Sequence, residues 1–283
     1  MSFIGAPLMQ RAGIRPGIAA ISVKNVAGVD CLADLAQAAP LRLLFPRVAE
    51  EEPLTACLTN TSGGVVGGDL HNVEIRAKED ARVLVIGQAA EKVYRSAGAT
   101  ARLEISLAAE RDAWLEWLPQ ETIIFDGARL ARRTRITVHS TARLMSGEML
   151  ILGRTAHGES LTGGLIRDAI EVTRDGKLIW ADALHLDGDL RAPLNHPAAF
   201  GGAHACAMLL YHGPDLEARR DALRELTPPE GVRYGSTVVS GLLIARWLGA
   251  DALALRRHYG SAWMMLRERA GGLPPRLPPV WHV

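Results

Sequence analysis

The sequence predicts a mainly β protein, a stacked-strand, β-helix-like multilayer body carrying α-helices toward its C-terminal end. Three observations lead there. From Leu54 to about Trp180 apolar residues recur at every second position, the period of a strand with one face buried. Ala81, Ala113 and Ala142, spaced 32 and 29 residues apart, each follow one strand-like run and start another. One such strand-turn-strand unit cannot bury its own apolar face, so units at near-constant spacing are expected to stack. Beyond about residue 200 the period changes. Residues 1–200 are therefore expected to form the β-rich body and residues 201–283 a mainly helical region packed on it.

Taken in order, residues 1–20 hold Gly5, Pro7, Gly13, Pro16 and Gly17 and read as an irregular lead-in. Ile18 to Val23 opens the first strand, and the spacing from Asp30 to Ala39 suits a short helix. Leu41 to Phe45 stands before Pro46, which pushes the preceding residue out of the helical region, so an extended run is expected. Glu50, Glu51 and Glu52 read as a surface turn. The strand-like runs beginning at Val73, Arg82, Arg102, Ala113, Arg135 and Arg167 then follow, rich in β-branched and aromatic residues. Trp114 and Trp117 lie three apart in one of them and so face opposite sides, which suits packing between two layers. Asp175-Gly176 is a hairpin turn. Asp215 caps a helix running to Thr227-Pro228-Pro229, Val238 to Leu248 reads as a second, and Asp251 opens a third with Leu255, Tyr259, Ala262 and Leu266 on one face. Gly271-Gly272 ends it, and the extended proline-rich tail reads either as docking through Trp281 or as a disordered end.

Composition removes several function classes. A net charge of +1 over 283 residues gives no basic surplus for nucleic acid or an anionic membrane. Cys31, Cys57 and Cys206 are odd in number and scattered, which indicates neither a disulfide framework nor a thiolate zinc site and fits a reducing cytosol. With neither a charged segment leading an apolar run at the N-terminus nor an apolar stretch near eighteen residues, a soluble cytoplasmic chain is expected. Only Lys24, Lys78, Lys92 and Lys177 among the 32 basic residues are lysines. Arginine suits bidentate carboxylate pairing, and a base-composition bias accounts for the skew equally well.

The densest motif is Asn60-Thr-Ser-Gly-Gly-Val-Val-Gly-Gly-Asp69, with four glycines in six residues. It is not a phosphate loop, since no Gly-Lys-Ser/Thr follows, nor a dinucleotide fingerprint, since strand sequence comes next. The nine histidines include no His-x-His or His-Glu-x-x-His, and no nucleophile elbow surrounds a Ser or Cys. What remains are carboxylates inside ordered segments. Asp69 reads either as a turn residue bonding nearby backbone or as a functional carboxylate. Glu148, beside a buried-looking strand, needs Arg154 or another partner if ionised. His71 and His157 read as surface or turn histidines, and Arg132-Arg133-Thr-Arg135 as a solvated strand face.

Four segments stand in order: Asn60–Asp69, Gln88-Ala-Ala-Glu-Lys-Val-Tyr-Arg-Ser96, Trp117-Leu-Pro-Gln-Glu-Thr-Ile-Ile-Phe-Asp-Gly127 and Glu148-Met-Leu-Ile-Leu-Gly-Arg-Thr-Ala-His-Gly-Glu159. With them the chain resembles the urease accessory protein family UreD, called UreH in some bacteria. The likeness extends from about residue 15 to the end and includes Gly241 to Gly249 and the closing Trp281. It implies a stacked-strand body with C-terminal helices and a non-enzymatic role in urease maturation. The partners it implies are apo-urease and a complex of UreF with the GTPase UreG, acting together to deliver nickel to a site whose lysine becomes carbamylated. No tightly bound cofactor is implied, nickel being in transit, and a homodimer within a larger complex is compatible. Imidazole and thiolate would hold nickel tightly, whereas isolated carboxylates release it, so scarce His and Cys suit a conduit. On that footing Asp69 and Glu148 are the expected lining of a water-filled nickel path, with Glu121, Asp126 and Glu159 as second candidates. The chain departs from the family in having Ile86-Gly87 where Thr-Thr is frequent and Glu91 where a small polar residue is common. A rival reading is a cytoplasmic β-solenoid carbohydrate-active enzyme using Asp69 with Glu148 as an acid-base pair; a scarcity of aromatics, 5% of the chain, counts against it.

Overall fold

The computed structural model describes residues 15–282 and is mainly β. Gly5, Pro7 and Gly13 of the expected lead-in lie outside the described residues. Strands β1 (Gly17–Val26), β2 (Val29–Ala38), β5 (Leu70–Ala77), β8 (Ala101–Ala109), β11 (Arg129–Val138), β13 (Gly163–Arg174) and β14 (Lys177–Asp189) form one sheet in the order β14-β13-β11-β8-β5-β1-β2. Facing it are β3 (Leu41–Leu44), β4 (Leu54–Asn60), β6 (Arg82–Gly87), β9 (Trp114–Leu118), β12 (Arg143–Leu152), β15 (Ala205–His212), β16 (Val232–Val239) and β17 (Leu242–Gly249), ordered β16-β17-β15-β12-β9-β6-β4-β3. Short β7 (Glu91–Val93) and β10 (Thr122–Ile124) lie parallel at one corner against β12.

The chain winds as a solenoid. Each coil leaves a strand of the first sheet, turns, and enters a strand of the second, so β5, β8, β11 and β13 run parallel, as do β4, β6, β9 and β12. The three repeat alanines make the turn. Their N–H groups donate to the carbonyls three residues back, at Lys78, Glu110 and His139, and all three are fully buried. The turns then stack: Trp114 N–H donates to Ala81 and Arg143 N–H to Ala113, at 2.9 and 2.8 Å. Parallel ladders end where antiparallel strands take over, β2 and β14 on one sheet and β3 and the β15–β17 meander on the other.

Two local expectations are corrected. The Asp30–Ala39 segment is strand β2, because Ala27 (φ 52°) and Gly28 (φ 87°) make the tight turn that returns the chain along β1. Val238 to Leu248 is not a helix: Ser240 (φ 53°) and Gly241 (φ 77°) form the same turn between β16 and β17. Residues 201–283 are accordingly mixed rather than mainly helical, with three strands joining the second sheet and the helices α2 (Leu216–Arg224) and α3 (Ala252–Gly271) beside a short α1 (Arg191–Asn195) before them. Asp215 precedes α2 without capping it through its side chain, and the helix stops short of Thr227. Asp251 does cap α3, accepting from the N–H groups of Leu253 and Ala254, and Gly272 (φ 62°) ends it.

Helix α3 covers the outer face of the second sheet with Leu255, Tyr259, Ala262 and Leu266, all buried. Trp114 faces this helix layer while Trp117 points between the sheets, as the spacing required. The tail returns to dock Trp281 on Tyr259, with ring centroids 5.9 Å apart and planes 14° from parallel. Glu50–Glu52 do form a turn, but Glu52 is not a surface group: its side chain is only 8% exposed against Arg267.

Candidate functional site

The four sequence motifs meet at one corner of the solenoid. A single column runs Val65, Val93, Ile124, Leu152, one residue from each motif, joined by parallel bridges. The glycine-rich loop lies against the second motif: Val65 N–H donates to Lys92 O at 2.7 Å and Tyr94 N–H to Val65 O at 2.9 Å. Gly64, at φ 154°, passes so close that a Cβ there would fall 2.7 Å from the Lys92 carbonyl oxygen.

Two cavities, or chambers, lie between the sheets. The larger, about 440 Å³, is lined by His71, Val73, Leu103 and Ile105 from the first sheet, by Leu58, Gly87 and Trp117 from the second, and by Glu91, Thr122 and Arg132. A smaller chamber, about 240 Å³, is lined by Glu148, Asp168, Ile170, Cys206, Met208 and Arg246. One register row across the first sheet passes through both: His71, Leu103, Arg132, Asp168, Leu184. The two chambers thus follow one another perpendicular to the strands, along the solenoid axis.

A largely buried ionic cluster lies between them. Arg132, 4% exposed, donates through Nε and Nη2 to the two Asp168 oxygens and meets Glu148 Oε2 at 2.6 Å. Its Nη1 reaches Thr122 Oγ1 at 3.2 Å, and Thr134 Oγ1 donates to Glu148 Oε1 at 2.8 Å. Burial pushes the Glu148 carboxyl up to about 7, even against the pull of Arg132. Burial also pushes the Cys206 thiol up to about 12, with Asp168 adding to it. In the wall of the small chamber Arg246 of β17 and Asp182 of β14 join the two sheets at 2.6 Å.

The other expected site residues are placed differently. Asp69 closes the turn before β5, its Oδ2 accepting the Val66 N–H at 2.9 Å, and lines neither chamber, though its charge reaches His71 and Glu91. Asp69 and Glu148 share neither a chamber nor a hydrogen-bond partner, so they are not brought together as an acid-base pair. Glu121 anchors α3 through Arg256 at 2.7 Å. Asp126 accepts from the N–H groups of Thr162 and Gly163 and pairs with Arg95. Glu159 holds Arg154, which packs its guanidinium over Phe125 and lowers the Glu159 carboxyl. Among the described residues no three side chains from His, Cys, Asp and Glu gather to hold a metal ion.

Comparison with known proteins decides the family. The family model described as UreD urease accessory protein matches residues 15–282. The chain belongs to the UreD family. It is 46% identical over 261 residues to a urease accessory protein UreD of Magnetococcus marinus, covering 90% of each chain. It is 40% identical over 277 residues to that of Azorhizobium caulinodans, covering 98% of each. With that of Xanthobacter autotrophicus it shares 43% over 261 residues, 92% of this chain and 88% of the other.

This UreD chain also places residues that sequence reasoning missed. Arg132 is not on a solvated face; its parity with Leu130, Ile136 and Val138, all buried, puts it inside. His71 is 3% exposed and shares parity with buried Val73, Ile75 and Ala77. Burial lowers its pKa and keeps the ring neutral near pH 7. The partner of Glu148 is Arg132 rather than Arg154. Asp168 was legible in the same way, between Ile166 and Ile170.

Glu91 lines the larger chamber, with Asn60 Nδ2 at 3.2 Å from both its oxygens. Burial raises its pKa from 4.5 to about 7, against the opposing hydrogen bond from Asn60. The folded chain therefore holds this proton more tightly than the unfolded one, so its contribution to stability falls as pH rises from about 4.5 to about 7 and is level above. Glu91→Gln removes that loss. Denaturant titration of the variant should show a gain on the order of 2 kcal/mol at pH 8 that vanishes toward pH 4.5; an equal gain at both pH values would mean that the proton is not involved.

Proposed function

We propose that this UreD chain is a non-catalytic urease maturation factor working in the cytoplasm. In this reading it binds apo-urease and the UreF/UreG complex and gives nickel a way through its β body during GTP-dependent insertion. The observation that supports a conduit most directly is the pair of cavities along the solenoid axis, where Arg132 of the larger one contacts Glu148 and Asp168 of the smaller. Two carboxylates beside a Cys206 thiol that burial keeps protonated, with no imidazole lining the smaller chamber, would bind nickel weakly enough to release it. In the described residues no helix is long and apolar enough to cross a membrane.

The test is co-expression of the tagged chain with UreF, UreG and the urease subunits, followed by a nickel assay of the recovered urease. Glu148→Ala with Asp69→Ala should leave the complex assembled and lower urease nickel severalfold, Glu148 by removing one of the carboxylates that would hold the ion in the smaller chamber and Asp69 by removing charge beside His71 and Glu91. Wild-type nickel content in the double variant would remove the conduit and leave a plain assembly scaffold. Full urease activation without the chain would remove the maturation role altogether.

A further inference from the structure

Resting on the conduit reading, we propose that Arg132 is a swinging arm that stands in for the cargo. It occupies Glu148 and Asp168 until a divalent cation in the smaller chamber takes those carboxylates, and the guanidinium then moves to Glu91.

Three observations carry this. Arg132 is the wall between the chambers: it lines the larger, and the two carboxylates it holds line the smaller. A cation cannot cross the layer while the arm is in place. Charge gives the second argument. A buried Glu148 and a half-buried Asp168 against one guanidinium leave the layer one positive charge short when both are ionised, whereas a divalent cation neutralises the pair completely. The third is the berth on the far side. Nη1 already touches Thr122 Oγ1 at 3.2 Å. Thr122 stands in register with Glu91 on the next strand, a step of about 4.8 Å, within reach of a rotamer change of a long side chain. Glu91 and Arg132 line the same chamber of about 440 Å³, so the arm has somewhere to go and a carboxylate to meet there.

The experiment measures binding of nickel chloride to the purified full-length chain by equilibrium dialysis, with urease loading assayed in parallel in the co-expressed complex. Arg132→Lys keeps the buried charge, and hence the fold, but an ammonium cannot bridge two carboxylates as the planar fork does. It should bind nickel about tenfold more tightly than wild type. Glu91→Gln, which keeps the chamber's shape and removes the berth, should bind about tenfold more weakly. Glu148→Gln with Asp168→Asn should abolish the site. As a check independent of substitution, saturating nickel should increase amide exchange in residues 129–138 of the wild-type chain. If Arg132→Lys and Glu91→Gln bind as wild type while the double carboxylate variant loses nickel, the arm is overturned and the conduit stands. If the double carboxylate variant binds and loads as wild type, the conduit itself falls.

Discussion

Arg267→Met should cost about 3–5 kcal/mol of stability, the largest loss expected of any single side chain here. Arg267 is 1% exposed on α3 and holds two carboxylates at once, Glu116 through Nε at 2.8 Å and Glu52 through its terminal nitrogens. Its Nη1 also donates to the carbonyls of Pro274 and Arg276. One guanidinium thus ties together a strand of the second sheet, the loop before β4, the helix and the returning tail. Glu116 is fully buried, with Trp114 and Trp263 indole N–H groups as its only other partners among the described residues. Removing the arginine strands its charge in a medium that cannot solvate it. Glu116→Gln with Arg267→Met should recover much of the loss, because both charges then leave together. Denaturant midpoints of the two variants check this, and a single variant as stable as wild type would show the network to be energetically neutral.

Gly147→Ala should cost about 1–3 kcal/mol and loosen α3 from the sheet. The residue faces the helix from the middle of β12, and an added Cβ would overlap the Tyr259 hydroxyl and lie 2.8 Å from Tyr259 Cζ and 3.1 Å from Trp263 Cζ3. Tyr259 has no room to yield, being packed against Trp247, Trp263 and Trp281. Tyr259→Phe in the same chain removes the worst overlap and should restore part of the loss. Melting temperatures and near-ultraviolet circular dichroism of the aromatic cluster report both effects; an unshifted melt for Gly147→Ala would mean that the helix docks with slack.

Which parts of this molecule were readable in advance follows from what strand periodicity reports. Ala81, Ala113 and Ala142 announced the coils because a turn packed against its own copies admits only a small side chain, and that constraint repeats in the sequence. Leu242 to Gly249 hid its strand because β17 is buried on both faces, which erases alternation and leaves an apolar run that reads equally as helix. The same ambiguity concealed the site. Arg132 sits among Arg129, Arg133 and Arg135, and only parity with apolar neighbours separates the inward arginine from the outward ones. Its partner Asp168 comes from the next coil, 36 residues on, a pairing that no local pattern contains. Glu148 was legible as a carboxylate in need of a partner, and the partner was not, since the facing strand supplies it.

Stacking coils along an axis also fixes a length. His71 and Asp168 belong to the same row three strand steps apart, roughly 14 Å at the ordinary strand spacing. On the proposed conduit reading, an ion following that row would cross one rung per coil, so the number of coils, and not the shape of any loop, would set the distance it covers. Adding or deleting a coil would change the length of that row by one rung while leaving the cross-section alone, so the repeat itself would be the ruler of such a path.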